Sequence, residues 1–128
     1  MNSTTRAVIA ATALLAFASA RAETCSIHPP AHATDKQLAA LAKVSQSTAR
    51  KVALDSLKQP GAKHVKSAEL EAEHGCLIWS FDIGIAGSKL THEVAVDAGN
   101  AAIVSSTTEN PAQEADEARG ETKPAHGG

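Results

Sequence analysis

Two cysteines and three histidines form the most reactive set of side chains in this sequence. Cys25-x-x-His28-x-x-x-His32 and His74-x-Cys76 supply two thiols and three imidazoles, and a Cys2His2 selection from them would hold zinc, or copper, in a tetrahedral site. Zinc ligands usually come as tight paired knuckles, which this spacing does not reproduce. In an exported protein an even cysteine count points first to a disulfide. A Cys25–Cys76 bridge would close about 50 residues, worth about 4 kcal/mol in the loop-entropy account. The expected site is that disulfide, with no metal and no other cofactor. Envelope metal binding through Cys25, His28, His32, His74 and Cys76 is the alternative.

Catalytic templates fit less well. His92-Glu93-Val94-Ala95-Val96 begins like the zinc-protease helix motif but lacks the second histidine, and its period is that of a strand, where i and i+4 do not share a site. There is no Gly-x-Ser-x-Gly elbow. His74 and Cys76 point the same way on a strand but lack the third group that would orient a base for a nucleophile. Asp97 reads as a turn residue. Glu69, Glu71 and Glu73 alternate along a strand and place three carboxylates on one face, which is either solvated or a surface for a basic partner. No enzyme is expected.

These residues need elements to position them. A polar start with one cation, the apolar run Ala7 to Phe17, and Ala18-Ser19-Ala20 have the layout of a secretory signal peptide over residues 1–20. Cleavage is expected after Ala20, with Ala22 as second choice. The apolar run is shorter than the ~20 residues a bilayer span requires, so no membrane insertion is expected after cleavage, and the location is secreted or periplasmic. Removing those residues takes away Arg6 and moves the formal charge from −2 to −3. Most of the negative charge lies beyond Thr108. The remainder is close to neutral, with no basic patch, and Trp79 and Phe81 are its only aromatics. Nucleic acid is excluded as a partner on both grounds.

Residues 21–43 form an N-terminal segment in which Pro29-Pro30 forbids helix and Thr34-Asp35-Lys36-Gln37 is a capping box opening a short one. A main helix is expected from Ser45 to Leu57, with Ala49, Val52, Ala53 and Leu57 on one face and Pro60-Gly61 as the stop. The period then changes to two. Ala68, Leu70 and Ala72 alternate with the three glutamates; after the turn at His74-Gly75, Leu77, Trp79, Phe81, Ile83 and Ile85 alternate with Cys76, Ile78, Ser80 and Asp82. Leu90, His92, Val94 and Val96 give a third strand, and Ala102 to Ser105 a short fourth. An α+β two-layer fold follows: the helix packed on a three- to four-stranded antiparallel sheet with Leu70, Trp79, Phe81, Val94 and Val96 facing inward. The stretch 108–128 is rich in Pro, Ala, Glu and Gly, and is expected to be a disordered tail.

Within the folded stretch, 44–107, A-x-x-x-A, x-P-G-A, S-A-E-L-E-x-E-x-G, W-S-F-D-I and E-V-x-V-D-A follow in a fixed order. That order resembles a PepSY domain, over about 60 residues. The matching positions are Ala49 and Ala53, Pro60-Gly61, Glu69-Leu70-Glu71, Trp79 to Ile83, and Val94 to Asp97. The family's usual Asp-Ala-x-x-Gly after the third strand stands here as Asp97-Ala98-Gly99-Asn100-Ala101. PepSY modules occur in propeptides of thermolysin-type metallopeptidases and as free exported proteins. The resemblance implies a non-enzymatic binding module whose protein partner is a secreted or periplasmic protease that it inhibits or modulates. The acidic stripe of Glu69, Glu71 and Glu73, or an exposed sheet edge, is the expected contact. A structural envelope protein without such a partner is the other reading.

Overall fold

A computed structural model of the protein describes residues 24–121. The expected signal peptide, with both of its cleavage sites, lies outside that range. Thr34 opens α1 (Asp35–Leu41) through the reciprocal bonds of its capping box, with the Gln37 N–H donating to Oγ1 of Thr34 and the Thr34 N–H donating to Oε1 of Gln37. Ser45 caps α2 (Gln46–Ser56) by accepting from the Thr48 N–H. The two helices are therefore separate, the second ending at Leu57.

Four strands follow, β1 (Lys63–Glu73), β2 (Cys76–Ile85), β3 (Thr91–Asp97) and β4 (Ile103–Glu109), paired antiparallel in the order β1-β2-β3-β4. The β1–β2 connection is the two residues His74 and Gly75, both at positive φ (48° and 78°). That is the mirror-image turn whose twist matches a hairpin. Each edge strand carries one extra residue. Val65 and Ser67 oppose the consecutive residues Ile83 and Asp82, leaving Lys66 bulged, and Ile103 and Ser105 oppose Val96 and Ala95, leaving Val104 bulged. The first bulge explains why Val65 and Ala68, three apart, both face the helices.

The core has the expected composition. Ala49 and Ala53 are completely buried, as are Phe81, Ile83, Val94 and Val96, and Leu57 closes the group. Two alanines one turn apart let the α2 backbone lie directly on the sheet, a close approach that larger side chains would prevent. Trp79 packs on the same cluster and donates from its indole N–H to the Val44 carbonyl at 2.9 Å, fixing the start of α2. Leu70 instead joins Leu38, Leu77 and Ala98 under α1.

Three expectations need correction. Leu90 does not continue the third strand; it precedes β3 and is 42% exposed. The fourth strand is longer than Ala102 to Ser105, because Ser106, Thr107 and Thr108 keep pairing with Val94, Glu93 and His92. The expected structureless tail begins with a helix, α3 (Pro111–Glu121). Asn110 accepts from the N–H groups of Ala112 and Gln113 while Gln113 Oε1 accepts from the Asn110 N–H, a second reciprocal cap with proline at the first helical position. Ala, Glu, Gln and Arg after such a cap are good helix formers, whatever their lack of apolar period. Among the described residues no helix is long and apolar enough to cross a membrane.

Candidate functional site

The side of the sheet away from α1 and α2 divides into two regions. At one end Cys76, Ile78 and Ala95 form a small buried apolar cluster, covered by Cys25 and Val104. Cys25 and Cys76 are joined by a disulfide, Cα–Cα 5.8 Å. From there the chain wraps around the end of the sheet. The Leu77 N–H donates to the Ile27 carbonyl at 3.0 Å, and the Ile27 side chain packs with Leu38, Leu77 and Ala98 on the helical side.

Asp97 anchors the same segment. It is 1% exposed and accepts from the Ser26 N–H (2.7 Å), the Ser26 hydroxyl (2.5 Å), and the N–H groups of Gly99 (2.7 Å) and Asn100 (3.3 Å). Burial alone would raise its carboxyl, but the Ser26, Gly99 and Asn100 bonds together hold it below the ordinary value. Gly99 is required by proximity, since a Cβ there would run into the Ser26 hydroxyl and the Ile27 side chain.

Of the five expected metal ligands, the fold brings three together. Donor atoms of Cys25, His28 and Cys76 all lie within 4.8 Å of one another. His28 Nδ1 stands 3.6 Å from Cys25 Sγ and 3.0 Å from the Gly75 carbonyl. His32 and His74 fall outside this group, His74 lying instead 3.6 Å from Glu73.

The other end of the outer face is an acidic hollow of about 360 Å³. Glu69 and Glu71 from β1, Asp82 from β2, Glu93 from β3, Glu109 at the end of β4 and Glu114 of α3 line it, with Lys66 as the single cation of that lining. The bulge at Lys66 turns its side chain into the hollow, where Nζ bonds Thr91 Oγ1 and lies 3.4 Å from Glu114. Ser67 donates to Asp82 at 2.8 Å. Glu71 is held above its ordinary pKa by burial first, then by Glu73, Glu69 and Asp82. The stripe is therefore not uniformly solvated: Glu69 is exposed, but Glu71 and Glu73 are half-buried, while Ala72, expected to be buried, is exposed. Two of the hollow's six carboxylates, Glu109 and Glu114, lie outside the strand pattern. They join it through strand register and the unexpected α3. Glu93 follows from the alternation of the third strand and sits opposite Asp82.

No protein-family model matches the chain, no curated protein matches it, and no solved structure matches it.

Proposed function

We propose that this chain is an exported, non-enzymatic binding module of PepSY type, whose acidic outer sheet face receives a basic stretch of a protein partner. The observation that carries the reading is the convergence of six carboxylates from four strands and α3 on one hollow with a single lysine. Ligand pockets for small molecules are mostly apolar. This hollow is polar and carries a like-charge penalty at Glu71, which a cation laid among the carboxylates relieves. Lysine or arginine side chains suit it by charge, and complementary charge supplies both the rate and the orientation of encounter.

The resemblance names the partner class, an extracytoplasmic peptidase that is inhibited or modulated. Ala101 adds support. It sits where the family usually has glycine and adopts φ 62°, the left-handed backbone that glycine tolerates best. The disulfide suits an oxidising compartment outside the cytoplasm.

The test is titration of the chain with a thermolysin-type peptidase and, separately, with a lysine- and arginine-rich peptide, following backbone amide shifts and peptidase rate. Shifts confined to the residues of β1 to β4 and α3 that line the hollow, with a salt-sensitive affinity, are expected. Reversal of Glu69, Glu71 and Glu73 to lysine should abolish them. Undiminished binding by that variant would remove the face, and an unchanged peptidase rate at saturation would remove the partner class.

A further inference from the structure

We propose that the reduced form of this chain binds one monovalent copper ion through Cys25, Cys76 and His28, so that the disulfide is the closed, metal-free state of a redox-gated soft-metal site. The inference is independent of the outer-face reading.

Apart from the separation of the two sulfurs on reduction, the geometry requires little rearrangement. Metal–sulfur and metal–nitrogen bonds of about 2.3 and 2.0 Å place donors around one ion about 3.5–4 Å apart. The nitrogen of His28 nearest the bridge already stands 3.6 Å from Cys25 Sγ, and all three donors lie within 4.8 Å. Two thiolates and one imidazole favour a soft ion of low coordination number, whereas zinc would need a fourth donor. His32 and His74 do not reach the group.

The site also survives the loss of its own bridge. The two residues after Cys25 are held without it, Ser26 by Asp97 and Ile27 by the Leu77 N–H and the Leu38, Leu77 and Ala98 side chains. Leu77 immediately follows Cys76. Opening the bond therefore leaves both sulfurs facing each other across the same strand end, and ordering of the ligands need not accompany binding. The exposed His28 completes the set by exchanging the Gly75 carbonyl for the ion, with its ring proton on Nε2.

The steps balance. An external dithiol transfers two electrons and two protons to the Cys25–Cys76 bond and closes to a disulfide itself. The two thiols then release their protons as their thiolates bind copper, so metal uptake is favoured as pH rises.

The experiment titrates copper(I) into the full chain under anaerobic conditions, against the chromophoric chelator bicinchoninate, with the protein either oxidised or reduced by a phosphine. One equivalent is expected to be withdrawn from the chelator by the reduced chain and none by the oxidised chain. Cys25→Ser and Cys76→Ser should each abolish uptake. His28→Ala should weaken it at least tenfold, while His32→Ala and His74→Ala leave it unchanged. Fluorescence of Trp79, the only tryptophan, reports whether the reduced chain keeps its core. Equal withdrawal by both redox forms would overturn the proposal. So would a His28→Ala variant that binds as the wild type does, equal preference for zinc, or a reduced chain whose Trp79 emission is that of an unfolded protein.

Discussion

Ser26 is bound to Asp97 twice, its N–H donating to Oδ2 at 2.7 Å and its hydroxyl to Oδ1 at 2.5 Å. The same carboxylate accepts the N–H groups of Gly99 and Asn100. One buried side chain thus shapes the β3–β4 turn and pins the segment that carries Cys25. The turn also reaches the helices, because the Ala98 carbonyl accepts from both Lys43 and Val44 N–H groups, between α1 and α2.

Asp97 should therefore govern part of the protein's acid stability. Its carboxyl titrates below the ordinary value of 3.8 in the folded chain. A depressed folded pKa gives stability that is complete above the unfolded value and is lost as pH falls through the folded one. Asp97→Asn, which keeps the shape and removes the charge, should cost about 2–3 kcal/mol at neutral pH. Urea midpoints of the two proteins should converge only below pH 3.8. A gap that does not change with pH would assign the effect to shape alone.

The disulfide should contribute stability without being needed to define the fold. It closes a separation of 51 residues, for which loop entropy gives at most about 4 kcal/mol. The Cys25→Ser/Cys76→Ser double variant should lose up to that amount in urea unfolding, yet keep the folded-state Trp79 signal and the amide protection of Leu77, because Ser26 and Ile27 hold the segment independently. Loss of Leu77 protection would show the bridge to be the primary anchor.

The core and the disulfide were legible in the sequence because both follow from period and count. Trp79, Phe81, Val94 and Val96 alternate, Ala49 and Ala53 sit one helical turn apart, and two cysteines have one pairing. The acidic hollow was only partly legible. Glu69 and Glu71 belong to a visible alternation, but Glu109 and Glu114 enter through β4 and α3, whose limits depend on pairing partners and a cap. Asn110-Pro111-Ala112-Gln113 repeats the logic of Thr34-Asp35-Lys36-Gln37, and composition masked it. Asp97 is legible only as a turn residue, since nothing local to it points to Ser26, 71 positions away.

Glu71 should work against stability at neutral pH. Burial and the neighbouring Glu73, Glu69 and Asp82 raise its folded pKa above 4.5. Such a group binds its proton more tightly folded than unfolded, so the penalty is absent below the unfolded pKa and grows to its full value as pH rises through the folded one. Glu71→Gln should stabilise by roughly 0.3–1 kcal/mol at pH 7, the scale of partly exposed charge pairs, and be neutral below about pH 4. A destabilised variant at pH 7 would mean that its hydrogen bond with Ser80 outweighs the repulsion.

Two substitutions in the β3–β4 turn should act in opposite directions although they exchange the same two residue types. Ala101 holds φ 62°, a conformation that costs a residue with a Cβ about 1–2 kcal/mol. Glycine removes that strain but adds freedom to the unfolded chain worth about 0.4–1 kcal/mol. Ala101→Gly should therefore raise stability by about 0.5–1 kcal/mol. At Gly99 the constraint is contact with Ser26 and Ile27, so Gly99→Ala should lower stability by about 1–3 kcal/mol, the range for forcing a carbon into a filled space. Because Ser26 is displaced in the second variant, its Asp97 hydrogen bonds weaken, and the acid sensitivity assigned to Asp97 should shrink with it. Thermal and urea unfolding of both variants across pH 3–7 would read both effects. If Gly99→Ala kept the wild-type pH dependence while losing stability, the Ser26 contact would be a packing constraint without influence on the Asp97 carboxylate.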